Sequence, residues 1–223
     1  MMYESLRRYT HRPYELVWVD SASTDGTREW LRSLNHIVPV LVGKMGIGEA
    51  MLNGLARCDP ESEYIGDLDN DLVLTDGWLA RLIVHMKENP ELGAIATKST
   101  AAYRGRIRFV PSKERFNEDI QAFARKIAEQ NTGLVAVDWV NGSHTLYRRK
   151  AIEQVGLWNP KLWMGEDKDI GIRLNRRGWR TAYANDAWVY HFLSKTTDEI
   201  DRTDPEWRRH RRESQSLLDR IYR

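Results

Sequence analysis

The sequence predicts an α/β fold, a mostly parallel sheet covered by helices on both faces. Three observations carry this. Short apolar runs alternate with segments of helical spacing between residues 15 and 97. Polar turns rich in Asp, Ser, Thr and Gly follow those runs, at the strand ends where such sheets bind ligands. The chain has 223 residues, 41% of them hydrophobic, which is enough for one domain with a real core.

The elements follow in order. Glu15 to Val19 reads as a buried strand, and Asp20 to Thr27 as the polar turn at its end. The next helix puts Trp30, Leu31 and Leu34 on one face, with Asp25 as its expected N-cap. Ile37 to Val42 is a second strand, ended by Gly43. The loop Gly46-Ile47-Gly48 leads into a helix carrying Met51, Leu52 and Leu55. Tyr64 to Leu68 is a third strand and runs into Asp69-Asn70-Asp71. Leu79, Leu82, Ile83 and Met86 form the stripe of a helix that Pro90 ends, and Gly93 to Thr97 is a fourth strand. These elements make up a first half, residues 1–98.

Beyond residue 98 the pattern changes, and 99–192 reads as a second half of the same domain. Residues 99–112 look like a loop, and its Arg104, Arg106 and Arg108 suit an anionic acceptor or plain solvent equally well. Phe116, Ile120, Phe123 and Ile127 mark an amphipathic helix. Residues 134–140 and 143–148 read as strands paired around the turn signal Asn141-Gly142. Glu166 to Asp169 opens a helix that closes on Arg176, Arg177 and Gly178. Residues 180–184 and 187–191 read as two short strands, and 193–223 as a charged helical tail.

Composition narrows the function. A net charge of +2 gives no basic field for nucleic acid. The single Cys58 excludes a disulfide framework and points to a reducing compartment. No apolar run approaches the roughly 20 residues of a membrane-spanning helix, and no secretory signal is visible. A cytoplasmic protein is expected. Arg208 to Arg212 leaves peripheral contact with a membrane open, although Glu206, Glu213 and Asp219 dilute that charge.

Several polar residues fall at predicted element ends. Asp69 and Asp71, two apart at a strand tip, can converge on a hard divalent ion such as Mg²⁺ or Mn²⁺. Taken alone, such a pair is more often an acidic turn. Asp20 ends another strand on the same sheet edge, and Ser21 to Thr27 offer hydroxyls and amides to a base or ribose. Asp25 and Thr27 read more simply as helix caps. Lys44 and Gly46 to Gly48 offer a cation and backbone amides to phosphate or ribose. Glu166 and Asp167 complement a helix dipole, and a general base fits there too. His191 is an acceptable third ligand for Mn²⁺, although a lone His is more often structural.

In order and spacing these segments resemble family 2 of the GT-A glycosyltransferases. The matching residues are Val19 to Thr27, Gly46 to Ala50, Asn53-Gly54, Leu68 to Asp71 with Trp78-Leu79, Gly142 to Arg149, Val155 to Trp158, Gly165 to Ile170, Gly178 and His191. The resemblance implies a Rossmann-like GT-A sheet, a nucleotide-sugar donor and Mn²⁺ or Mg²⁺. Asp20 would contact the nucleobase, Asp69 the donor nucleotide, and Asp71 the metal with His191. Asp167 would be the catalytic base, and Glu166 would shape its site. Ser21, Lys44, Gly46 and Asn70 complete the donor set. The implied reaction inverts the anomeric centre while moving the sugar to a saccharide, lipid-linked or other hydroxyl acceptor. Members of that family open on a strand central to the sheet. This chain opens inside the helix that follows, at Tyr3 to Tyr9, so the fold expected lacks its first strand, with dimer formation or closure of the gap as compensation. The alternative is a non-catalytic nucleotide- or sugar-binding module. A sugar nucleotidyltransferase ranks last, because its Gly-rich, Arg-containing first loop has no counterpart here.

Overall fold

The computed structural model describes residues 1–101, 104–192 and 203–222. Part of the loop after residue 99 and the start of the charged tail therefore lie outside the described residues.

The chain begins with α1 (Met2–Tyr9), followed by β1 (Val17–Ser21), α2 (Thr27–Arg32), β2 (Val38–Val42) and α3 (Ile47–Leu55). Then come β3 (Tyr64–Leu68), the short β4 (Leu72–Val73), α4 (Trp78–Glu88) and β5 (Leu92–Ser99). The second half holds α5 (Phe116–Gln130), β6 (Leu134–Val137), β7 (His144–Arg148), α6 (Arg149–Gln154), α7 (Glu166–Arg176), β8 (Arg180–His191) and α8 (Pro205–Ile221).

The α/β class holds, with mixed pairing. A six-stranded sheet runs β3-β7-β5-β8-β4, and β6 also pairs with β8. Within it β5 and β8 are parallel, while β7 is antiparallel to β3 and β5. Strands β1 and β2 pair in parallel as a separate two-stranded sheet.

Side-chain alternation along β5 explains how both faces are covered. Ile95 joins α4 through Trp78, Leu82 and Met86. Ala94 and Ala96 face Ala151 and Ile152 of α6 and Ile170 and Leu174 of α7. Trp188 of β8 meets Ile120, Ala124 and Ile127 of α5.

Among the described residues no strand precedes β1, and the two sheets are not bonded to each other. Helices bridge them instead. From α1, Met2 and Leu6 pack in the main cluster with Leu72 and Trp78, while Tyr3 packs with Leu31 and Ile37 on the β1–β2 side. From α3, Gly54 lies under Val19 of β1, and Met51, Leu52 and Leu55 pack beside Ile65 of β3.

Three expectations are corrected. The strands flanking Asn141-Gly142 do not form a hairpin: β6 pairs with β8 and β7 with β3 and β5. The two short strands of 180–191 are one strand, whose register slips against β5 between Thr97 and Lys98. Asp25 is not the N-cap of α2. That position is Gly26, at φ 89°, and Asp25 instead accepts from the amide and hydroxyl of Thr27 in the turn before the helix.

Candidate active site

The strand tips bring the predicted metal residues together. Asp69 and Asp71 leave the end of β3, and His191 ends β8, which β4 joins through the pairing of Leu72 with His191. One ligand atom from each of Asp69, Asp71 and His191 lies within 4.8 Å of the others. His191 Nε2 is 2.9 Å from Asp71 Oδ1. That contact lacks hydrogen-bond geometry, and Asp71 Oδ1 is buried with no hydrogen-bond partner. An orphaned buried carboxylate oxygen beside an imidazole and a second carboxylate is a donor set that fits a divalent cation of the Mn²⁺ type.

Electrostatics reinforces this. Burial first, then the neighbouring Asp71, pushes the Asp69 carboxyl up to about 6, with His191 opposing. Asp69 is nonetheless exposed to solvent, and a cation between the two carboxylates would relieve their repulsion.

Glu166 and Asp167 open α7, where three acidic residues occupy the first turn. Asp167 Oδ2 accepts from Gly142 N–H at 3.1 Å and Oδ1 from Lys168 N–H at 2.7 Å. Burial pushes its carboxyl up, against those two hydrogen bonds. Glu166 is 7% exposed and its Oε2 has no hydrogen-bond partner. Burial and the adjacent Asp167 push its carboxyl well above the ordinary range.

The donor residues fare differently. Asp20 is buried at the end of β1, where Oδ1 accepts from Ser23 N–H at 3.1 Å and Arg28 Nε at 2.6 Å. Burial opposes its ionisation, but these partners hold the carboxyl below the usual range. Arg28 also reaches the Val42 carbonyl and so ties the ends of β1 and β2 together. The Ser21 hydroxyl donates to Gly43 O and accepts from Met45 N–H, which staples the following loop rather than leaving the hydroxyl open to a ligand.

Lys44 turns toward the C-terminal helix, to Asp204 at 2.5 Å and Glu206 at 3.3 Å. The amides of Ile47 and Gly48 donate to Trp163 O and Leu162 O, so they are not free for phosphate. The glycines serve packing. A Cβ on Gly46 would lie 2.8 Å from Trp163 Cα, and one on Gly48 would lie 2.1 Å from Asn159 O. Asn70 is exposed at the turn between Asp69 and Asp71.

Sequence reasoning missed Arg28, Asp67 and His144. Asp67 shares the Asp69 face of β3 by period two, which was a readable signal. His144 is fully buried in β7, its ring edge-on to His191 at 6.2 Å between centroids. Burial, then His191, pushes it down to about 3, so it is neutral.

A mixed α/β sheet with two carboxylates and an imidazole at its strand tips, and an acidic pair on a facing helix, defines a protein of the glycosyltransferase type. The chain belongs to the glycosyltransferase-like family 2, whose model matches residues 2–214. It is 22% identical over 191 residues to the O-antigen chain rhamnosyltransferase WbaN of Salmonella anatum, covering 85% of this chain and 60% of that protein. It is 21% identical over 201 residues to the poly-beta-1,6-N-acetyl-D-glucosamine synthase of Staphylococcus aureus strain COL, covering 86% of this chain and 46% of that protein. The chain thus spans about half the length of these curated relatives. A crystal structure of GalNAc-T7 with UDP, GalNAc and Mn²⁺ superposes with a TM-score of 0.61 at 17% identity, over 85% of this chain and 40% of that one. The fold is therefore the one the resemblance implied.

Proposed function

We propose that the chain carries an inverting, metal-assisted transfer of a sugar from a nucleotide-sugar donor to an acceptor hydroxyl. One observation carries the reading. The Asp69, Asp71 and His191 set, with its orphaned Asp71 oxygen, shares a site with a half-buried Asp167 held by Gly142 N–H.

In this reading Asp71 and His191 hold Mn²⁺ or Mg²⁺, and Asp69 lies at the donor nucleotide. The bound cation supplies charge neutralisation for the departing nucleoside diphosphate. Asp20, fixed by Arg28, faces the nucleobase. Asp167 takes the proton of the acceptor hydroxyl as its oxygen bonds to the anomeric carbon and the bond to the diphosphate breaks. A single displacement from the opposite face inverts that centre. Glu166, whose carboxyl is pushed toward its neutral form by burial and by Asp167, shapes the site beside the base.

A non-catalytic nucleotide- or sugar-binding module is the second reading. The split between the two sheets, and the engagement of Ser21 and Lys44 inside the protein, favour it. A donor screen separates the two. Nucleoside diphosphate release is measured across common nucleotide sugars with MnCl₂, beside Asp71→Ala. Metal-dependent release lost in the variant is expected. Binding of a nucleoside diphosphate with no release from any donor would leave the module reading standing. Among the described residues no helix is long and apolar enough to cross a membrane.

A further inference from the structure

The Asn141–Ser143 turn is the joint of the site. Asn141 N–H donates to the Tyr183 hydroxyl of β8 at 2.9 Å. Gly142 N–H donates to Asp167 on α7 at 3.1 Å. Ser143 N–H donates to Asp67 Oδ2 of β3 at 3.4 Å, and Ser143 O accepts from Asp69 N–H at 3.1 Å. The Ser143 hydroxyl is 3.5 Å from His191 Nδ1. One turn of three residues thus touches the Asp167 carboxylate, the backbone of Asp69 and the metal-site imidazole.

The turn does not sit there by its own preference. Ser143 has φ 106°, a region that residues with a Cβ rarely adopt and that persists only where surrounding contacts impose it. It is 3% exposed, so water does not satisfy its amide. Its N–H needs an acceptor, and Asp67 supplies one. Gly142 is equally constrained. A Cβ there would meet Asp67 Oδ2 at 3.3 Å, and Asp167 Cβ and Glu166 Oε1 at 3.4 Å. The turn is wedged between carboxylates on β3 and on α7, and each carboxylate holds one of two successive amides.

We propose that Asp67 is a positioning residue for the transfer. By accepting from Ser143 N–H it holds the strained turn in the conformation in which Gly142 N–H fixes Asp167. The proposal rests on the reading of Asp167 as the base. Asp67 acts as a hydrogen-bond acceptor through the turn and touches neither substrate nor metal.

The test compares the wild type with Asp67→Asn, which keeps an acceptor oxygen, Asp67→Leu, which removes it, and Gly142→Ala, which wedges the turn from within. Asp67→Leu is expected to lower kcat by one to two orders of magnitude while donor KM and Mn²⁺ affinity change less than threefold. Its Asp167, deprived of the Gly142 hydrogen bond that favours the charged form, should move the acid limb of the kcat profile to higher pH. Asp67→Asn should stay within about threefold of wild type, since it preserves the interaction. Gly142→Ala should reproduce the Asp67→Leu pattern and covers the case in which Asp67→Leu does not fold. Amide exchange at Gly142 and Ser143 is read in parallel and does not depend on what Asp167 does. Faster exchange in Asp67→Leu with an unchanged rate in Asp167→Asn would show that the turn is held by Asp67 and that the base reading is what failed. Equal losses in Asp67→Asn and Asp67→Leu, an unmoved acid limb, or unchanged exchange at both amides would each overturn the proposal.

Discussion

At the scale of single residues the site is a balance between buried carboxylates and the few cations that reach them. Asp20 is the clearest case. Its side chain is 2% exposed and its partner Arg28 is 26% exposed. Replacing Arg28 with Met should cost about 2 kcal/mol of stability, less than for a fully buried pair because Arg28 keeps some water. The sign of the pH dependence follows. The Asp20 carboxyl is held below its ordinary value in the fold, so its contribution is present above the unfolded value of about 3.9 and is lost as pH falls through the lower folded value. The gap between Arg28→Met and wild type, measured by urea unfolding, should be constant near neutrality and shrink below about pH 4. A gap that persists unchanged at pH 2.5 would assign Arg28 a packing role only.

Asp69 and Asp67 work the other way. Burial, reinforced by neighbouring carboxylates, pushes them up to about 6 and about 7. The folded protein then holds protons that the unfolded chain releases, so stability falls as pH rises from about 4 toward 7. In the proposed reading a divalent ion at Asp71 and His191 would offset this by favouring the charged form of the neighbouring Asp69. Mn²⁺ should therefore raise the melting temperature more at pH 7.5 than at pH 5.5, and Asp71→Ala should abolish the increment. An equal rise at both pH values would place the ion elsewhere. Asp69, Asp71 and His191 were legible as candidates because they lie at the ends of apolar strands, and Asp167 because it opens a helix. Arg28 was not, because a charged residue early in a helix looks like any solvated one until the fold shows that it faces Asp20.

Between residues and the molecule lie the elements, and here glycine determines which may approach. Gly48 opens α3 where the 159–163 segment crosses it, and an added Cβ would sit 2.1 Å from Asn159 O. Neither atom is a flexible side-chain end, so the helix or the crossing segment must shift. Gly48→Ala should cost about 3 kcal/mol or prevent folding. It should also displace Trp163, which stands three residues before Glu166, so a well-folded variant with wild-type turnover would refute this packing account. Helix α8 is fixed by its ends. Asp204 caps it through the amides of Glu206 and Trp207 and binds Lys44, and Trp163 stacks on His210 at 3.9 Å. Asp204→Ala should free α8 first, seen as faster tryptic cleavage within Arg208 to Arg212 at an unchanged rate elsewhere. The Asn141-Gly142 signal shows why element type reads more easily than pairing. Asn-Gly marks a tight reversal, but local chemistry does not say which strands flank it in space. In this fold it serves the joint of the site, and its flanking strands pair with distant partners.

At the scale of the whole molecule the division between sheets is the feature with most consequence. The order of elements through residue 98 was legible, because apolar runs and turn residues alternate there in the sequence. The separation of β1–β2 from the other strands was not, since no local signal says which strands pair. Asp20 stands on the small sheet and the Asp69, Asp71 and His191 set on the large one, so in the proposed reading a nucleotide would span both. The small sheet is joined to the rest by helix packing from α1 and α3, without a backbone ladder to β3. Its opening should therefore require less free energy than global unfolding. Native-state hydrogen exchange should show the β1 and β2 amides exchanging through a subglobal opening, while those of β5 and β8 exchange only on global unfolding. A nucleoside diphosphate with Mn²⁺ should raise protection in β1 and β2 more than in β5, because the ligand cross-links what the backbone does not. Identical exchange free energies for both sheets, unchanged by ligand, would mean that the helices alone couple them into one cooperative unit.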